Sequence, residues 1–477
     1  MTTLVLGLDQ GTSSTRCVAL DADLGERGAA SIALASSYPG PGLVEQDPEA
    51  IADSAERAVA GALAAAGATP GDVAALGIAN QTETFVVWER ATGRAVHPAI
   101  VWQDRRTDAA CARLRAQGHD RLVSERTGLE LDATFPATKL RWLLDHVGGD
   151  AAGLAYGDVA SWLLHRLGGV HVCDAGNAAR SLLCPLGAPE WDDELLELFG
   201  IPRAPLPPIV DSDAIDAVIA GVPVRAAVGD QPASLFGLRG WAPGAAKVTL
   251  GTGAFVLAQA GDDPPRAPAG VLASCAWRRG GSTSYALEGF VPTAGAATDW
   301  FARLGALPAG AELDALLASS GESEVVCVPA LQGSGTPGWD AGARGALLGV
   351  SLGTTRADLA RAVVDGILHQ VADALDAMGE AVTLDALWVD GGLSRSDWIV
   401  QRLADLAGVR VRRTTRSDST ALGAATLAGL AAGVWDAPEP LPEIPLDLVA
   451  EPRLAAPQRA LARERWAEAR ALSARWR

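Results

Sequence analysis

Positive charge is in short supply: 39 lysines and arginines stand against 57 aspartates and glutamates, a formal net charge of −18 with a pI near 4.8. A field of that sign repels phosphate backbones, and no basic stripe interrupts it, so nucleic acid is excluded as a partner. Cysteine is also scarce. Cys17, Cys111, Cys173, Cys184, Cys275 and Cys327 are scattered without CxxC spacing, and the six histidines do not pair as metal ligands. Buried, reduced thiols in a cytoplasmic protein are the expectation. Long apolar runs are missing as well: the longest mild one, Ala421 to Trp435, is Gly- and Ala-rich and shorter than the roughly 20 residues that cross a bilayer. The N-terminus, Met-Thr-Thr-Leu-Val-Leu-Gly-Leu-Asp, lacks the basic flank and apolar stretch of a leader. We therefore expect neither a membrane span nor a signal peptide.

What is present is apolar material in quantity. With 477 residues, 49% apolar and 20% charged, the chain can bury two or three substantial cores. Leu4 to Asp9 reads as a buried strand, Gly11-Thr12 as a turn and Cys17 to Leu20 as a returning strand. The same unit recurs at Lys247, where Val-Thr-Leu enters Gly251-Thr252-Gly253 and Phe-Val-Leu-Ala returns. Two such units predict two similarly built halves, with the boundary near residue 240: one domain over 1–240, the other over 241–477. Asp47-Pro48-Glu49 starts a helix. Val73 to Ile78, Thr84 to Trp88 and Ala95 to Trp102 read as strands, and Lys139 to His146 and Asp158 to Leu167 as helices. Leu359, Val363, Ile367, Val371 and Leu375 line a long helix that Gly379 can stop. Leu387 to Asp390 is then a strand, and Ser394 can cap a helix that ends at Gly408. The Pro-rich stretches Ile201 to Pro208, Asp262 to Pro268 and Ala437 to Pro445 read as loops.

Asp9-Gln10-Gly11-Thr12-Ser13-Ser14-Thr15-Arg16 sets a carboxylate at a strand end, then small residues whose amides and hydroxyls can approach an oxyanion, then a cation. That pattern suits a magnesium-bound polyphosphate, although Asp-x-Gly-Thr also occurs in plain hairpins. Gly251-Thr252-Gly253 is a second donor-rich turn or a tight hairpin. Gly391-Gly392 lets the backbone lie against a base or ribose, or simply supplies φ > 0 to a strand-to-helix connection. Asp230 follows an apolar strand and precedes an apolar helix, where it can accept a hydroxyl proton or cap the helix.

These elements, in this order and at these separations, resemble the FGGY carbohydrate kinases, with motifs nearest those of the family's glycerol kinases. The matches run from Leu-Gly-Leu-Asp-Gln-Gly-Thr through Asn80-Gln81, Ile100-Val101-Trp102-Gln103, Gly229-Asp230-Gln231, Leu287-Glu288-Gly289 and Val389-Asp390-Gly391-Gly392 to Leu422-Gly423-Ala424. The resemblance implies an α/β fold of two actin-like ATPase (ribonuclease H-like) domains with an interdomain cleft, and ATP with Mg2+ as cofactor. Carried over position by position, it implies Asp9 at the metal and Thr12, Ser13, Ser14 and Arg16 at the phosphates. Gly251, Thr252, Gly295 and Asp299 would continue the nucleotide site, with Gly391, Gly392 and Ser396 toward the adenosine. Asp230 would be the catalytic base, and Thr82, Glu83, Trp102, Thr134, Gln231 and Phe255 would join it in the substrate pocket. A homodimer or homotetramer is the family's expectation.

Glycerol kinases carry Asn-Gln-Arg-Glu where this chain reads Asn80-Gln81-Thr82-Glu83, and a tyrosine where Thr134 stands. Losing two large side chains while keeping Glu83, Asp230 and the aromatic wall enlarges the pocket, making a four- or five-carbon polyol or ketose as plausible as glycerol. Arg105 or Arg106 can supply the missing guanidinium. Asp299 and Ser396 replace amide side chains of the family. The competing reading is a catalytically inactive sugar- or nucleotide-binding regulator on the same fold. Retention of Asp9 and Asp230 argues against it.

Overall fold

A computed structural model describes residues 3–308, 311–321, 323–340, 342–438 and 441–475. Met1, Thr2 and residues 439–440 of the last Pro-rich stretch lie outside them. Two large sheets organise the chain. In the first, Leu4–Gln10 pairs antiparallel with Ser14–Leu20, which pairs antiparallel with Glu26–Ala33, while on its other side Leu4–Gln10 runs parallel to Val73–Asn80 and that strand parallel to Val222–Gly229. In the second, Ala245–Leu250 pairs antiparallel with Ala254–Gly261, which pairs with Ser282–Val291, while on its other side Ala245–Leu250 runs parallel to Ala386–Asp390 and that strand parallel to Val411–Thr414. The two halves therefore repeat one connectivity, the one read from the repeated strand-turn-strand unit. The six cysteines are free and buried.

Local chemistry fixes the helices that cover these sheets. Asp47 accepts a hydrogen bond from Glu49 N at the start of Pro48–Ala66, and Gly67 closes that helix in the left-handed region. Thr355 caps the long helix Arg356–Gly379 through a box with Asp358. Two expectations are corrected. The predicted strand Ala95 to Trp102 shrinks to Ala99–Ile100, because the chain there serves a small four-stranded sheet rather than either large one. Ser396, not Ser394, caps the helix Asp397–Ala407, its Oγ accepting from Ile399 N. Ser394 Oγ instead donates to Gly391 O at 2.7 Å, closing the preceding turn.

The apolar stretch that begins at Ala421 is a helix, Ser419–Ala431, hydrophobic all round and buried over most of its length. It returns from the second half of the sequence to lie on the first sheet and beside the helix Asp230–Gly237. Contact is close enough to require glycine: a Cβ on Gly7 would stand 1.9 Å from Ala421 O, one on Gly77 1.9 Å from Ala424 O, and one on Gly423 1.7 Å from Ala233 O. A single core, with Val5, Val18, Ala79 and Val228 from one half and Leu257, Trp277 and Trp388 from the other, surrounds this helix. Among the described residues, no helix is long and apolar enough to cross a membrane.

Candidate active site

Parallel strands bring their C-terminal ends to one edge, and open α/β sheets present their chemistry there. Asp9 pairs with Ala79 and Gln10 with Asn80, while Gly229 also pairs with Asn80. The register thus sets Asp9, the Asn80–Glu83 turn and Asp230 side by side. In the second sheet Thr249 pairs with Asp390, so Gly251 and Gly391 leave together. Side chains join the two edges: Lys247 Nζ donates to Gln231 Oε1 at 2.9 Å, and the Trp102 and Phe255 rings meet edge-on at 6.4 Å.

The turn after the first strand has the tight form read from its sequence. Gly11 N donates to Ser14 O, Ser13 is exposed and Ser14 half-buried. The Nε of Arg16 is buried without a hydrogen-bond partner, and its Nη2 lies 3.7 Å from Glu26. Thr12 is less free than expected, since its hydroxyl donates to Gln81 Oε1 at 3.2 Å and accepts from Trp102 Nε1 at 3.0 Å. The indole of Trp102 is thereby committed to the turn.

Around Asp230 lies a cluster of charge. Asp230 Oδ1 accepts from Gln231 N at 2.7 Å, and Gly229 rather than Asp230 occupies the cap position of the helix, so the capping alternative does not hold. Burial, then the neighbouring Glu83, raises the Asp230 carboxyl to about 6, with Lys247 opposing. Asp9 is raised to about 7 by burial first and by Asp230 second. The ammonium of Lys247 is buried, donates to Gln231 and to Thr249 Oγ1, and feels Asp390, Asp230, Glu288 and Asp9.

The sequence reading missed Arg180, Glu288, Asp390 and Lys247 as site residues. Arg180 Nε donates to Glu83 Oε1 at 2.6 Å, and Nη1 donates to Glu288 Oε2 at 2.7 Å. Arg105 and Arg106 do not supply that guanidinium. Arg106 is held by Asp104 and Glu45, and Arg105 is forked onto Asp132, paired with Asp108 and only brushes Thr134 Oγ1 at 3.3 Å. The detectable signal was a cation inside an otherwise small and apolar run: Ala-Ala-Lys-Val-Thr-Leu for Lys247, Asn-Ala-Ala-Arg-Ser-Leu for Arg180. Of the two small replacements, Thr82 presses its methyl toward Gly229, leaving 2.5 Å to where a Cβ there would be. Thr134 turns its hydroxyl to Asp132 at 2.7 Å.

Among the residues expected to take the nucleotide, Gly295 N donates to Gly251 O at 2.8 Å and Ala294 N to Thr252 O at 2.9 Å, locking these two turns together. Gly391 has φ 93°, and a Cβ there would lie 2.6 Å from the Leu250 backbone, so glycine is required for both conformation and space. Gly392 is exposed, as is Asp299 on the helix Gly295–Arg303. Ser396 spends its hydroxyl on the helix cap.

Magnesium takes hard oxygen ligands, and the donors present fit it. Asp9, Asp230 and Asp390 each act on the charge of Lys247. Among the described residues no group of three or more carboxylate, His or Cys side chains could hold an ion alone, but Asp390 Oδ1 is buried with no hydrogen-bond partner while its Oδ2 accepts from Ser419 Oγ at 3.0 Å, leaving an oxygen that an ion completed by phosphates and water can use.

Two halves that repeat one sheet connectivity define an actin-like ATPase fold, here the fold of a small-molecule kinase. Residues 4–237 match the N-terminal domain of the FGGY family of carbohydrate kinases and residues 246–432 its C-terminal domain. This chain belongs to the FGGY family of carbohydrate kinases, and ATP with Mg2+ is its cofactor. It is 47% identical to a glycerol kinase of Aromatoleum aromaticum over 92% of each chain. To one of Bordetella parapertussis it is 43% identical over 99% of this chain and 97% of the other. A crystal structure of Plasmodium falciparum glycerol kinase with ADP superposes with a TM-score of 0.93 at 25% identity, covering 99% and 98% of the two chains. Xylulose kinase from Rhodospirillum rubrum, at 24% identity and TM-score 0.87 over 99% and 98%, shares the fold.

Proposed function

We propose that this chain moves the γ-phosphoryl group of ATP to a primary hydroxyl of a small neutral polyol or ketose, with Asp230 as the base. The observation that carries this reading is the setting of Asp230: a strand end, one oxygen occupied by the Gln231 amide, and a carboxyl near 6. Such a group is ionised at neutral pH yet basic enough to receive the alcohol proton as the new P–O bond forms. Asp9, with Asp390 nearby, would hold Mg2+, which when bound would supply neutralisation of phosphate charge. Arg16, with Thr12, Ser13 and Ser14 of the first turn, binds phosphate oxygens, and the turns at Gly251, Thr252, Gly295, Gly391 and Gly392 take up the rest of the nucleotide. Asp299 and Ser396 flank that region. Residues 1–240 would carry the base and the alcohol site, 241–477 the nucleotide site, with the helix Ser419–Ala431 packed back as their common floor.

Substrate class follows from charge. Arg180 is spent on Glu83 and Glu288, Arg105 on Asp132 and Asp108, and Lys139 donates to the carbonyls of Thr134 and Val101. With these cations engaged and Glu83 and Asp230 facing each other, a substrate carboxylate would meet repulsion, so neutral compounds are favoured. Thr82 and Thr134 leave room for four or five carbons, and Glu83, Gln231, Trp102 and Phe255 give hydroxyl partners and an apolar wall. The glycerol kinases among its relatives support a polyol. ADP release with MgATP across glycerol, erythritol, the pentitols, common ketoses and gluconate tests the reading. A four- or five-carbon neutral compound is expected to give the highest kcat/KM and gluconate none; glycerol winning would overturn the enlarged pocket, and no turnover with any would favour a binding protein. Light scattering on the same sample tests for a homodimer or homotetramer.

A pH dependence follows. The base works ionised, and its folded value lies above the ordinary carboxylate range, so kcat/KM is expected to be level above neutral pH. It should fall about tenfold per pH unit on the acid side of about 6. A profile flat down to pH 5 would count against Asp230.

A further inference from the structure

We propose that Arg180 is a positioning residue of the alcohol pocket, which sets the Glu83 carboxylate and ties it to Glu288 across the cleft. This rests on the reading that Glu83 receives a substrate hydroxyl. Arg180, Glu83 and Glu288 are 9%, 7% and 7% exposed as whole residues. Arg180 follows the short helix Ala175–Ala179 in the first half of the chain. Its Nε donates to Glu83 Oε1 at 2.6 Å, and its two Nη groups form a fork onto Glu288, at 2.7 Å to Oε2 and 3.3 Å to Oε1. The Phe135 ring lies under the guanidinium, 5.4 Å from its carbon to the centroid.

Each part of this geometry has a consequence. A planar guanidinium engages two carboxylates through separate N–H groups in a fixed plane, which an ammonium does not reproduce. The bond to Glu83 engages Oε1 and leaves Oε2 as the acceptor for a hydroxyl. Glu83 itself sits at φ 62°, in the left-handed region that a non-glycine residue keeps only where its surroundings hold it. Arg180 provides that hold. Glu288 lies within the strand Ser282–Val291 of the second sheet, so the orientation of Glu83 is coupled to the approach of the two halves. A buried ion triad is not required for stability, since apolar replacements commonly match it. Its placement between the alcohol site and the opposite half gives it a use in positioning.

The test uses the full chain with MgATP and the best neutral alcohol. Arg180→Lys keeps the charge and loses the fork; the expected result is a rise of about tenfold or more in the KM for the alcohol, with the KM for MgATP within about twofold. Glu288→Gln keeps Arg180 on Glu83 but loosens the tie; the alcohol KM should hold while kcat falls by about threefold or more. Should Arg180→Lys fail to fold, Glu288→Gln alone decides. Wild-type values for both variants, or parallel changes in both KM values, would overturn the inference while leaving the kinase reading intact. No turnover by the unaltered chain overturns both.

Discussion

Asp230→Asn is expected to abolish phosphoryl transfer while leaving nucleotide binding in place. The substitution keeps the size and the acceptor oxygen that takes the Gln231 amide but removes the basic oxygen, and general-base catalysis contributes ~10²–10⁴-fold. Removal also relieves a repulsion, because the Asp230 charge is among the causes that raise Asp9. ADP affinity measured by calorimetry should therefore stay within a few-fold of the unaltered chain. Steady-state ADP release reads the loss directly. A variant retaining a tenth or more of the original kcat would remove Asp230 from the mechanism and return attention to Asp9 as the base.

Gly77→Val should have the largest effect on folding. Its Cβ would fall 1.9 Å from the carbonyl oxygen of Ala424 and 3.1 Å from the Ala428 methyl. Neither neighbour is the far end of a flexible side chain, so the helix Ser419–Ala431 must lift from the sheet. Overpacking of a tight core costs about 1–3 kcal/mol and occasionally more; with backbone as the obstacle we expect ~3 kcal/mol or above, seen as loss of soluble protein or a much lower melting temperature. Gly153→Ala is the control, since nothing lies within 4 Å of its built Cβ, and its stability should stay within about 0.5 kcal/mol. Equal melting temperatures for the two variants would mean that the helix is not the floor it is described as.

Much of this architecture was legible because it is local. Alternating strand and turn chemistry around Gly11 and Gly251, the cap at Asp47 and the glycine stop at Gly67 depend on neighbours a few residues away, and the structure keeps each of them. Ala95 to Trp102 failed because its apolar composition suits a strand, while the length actually paired depends on which partner strand arrives. Ser394 failed by two residues: both serines can cap, and the turn closed by Ser394 onto Gly391 moved the helix start to Ser396.

The site divides in the same way. Motif spacing was enough to single out Asp9, Asp230 and the glycine turns, since each is a strand-end feature whose chemistry sits in consecutive residues. Arg180 and Lys247 had no such mark, and Glu288 and Asp390, though inside matched motifs and Asp390 at a strand end, were given no role there. Arg180 and Glu83 are 97 residues apart in sequence and Arg180 and Glu288 are 108 apart, so no local pattern joins them. Sequence alone marked the strand-turn-strand units, the helix ends and the carboxylates Asp9 and Asp230 beside strand ends, because hydrogen bonding and backbone preference act over a few residues. Only the tertiary structure decided which cation faces which acid, that Arg180 rather than Arg105 or Arg106 holds Glu83, and that an apolar stretch beginning at Ala421 is the shared floor of two halves, because burial and charge pairing act through space between segments the chain brings together only when folded.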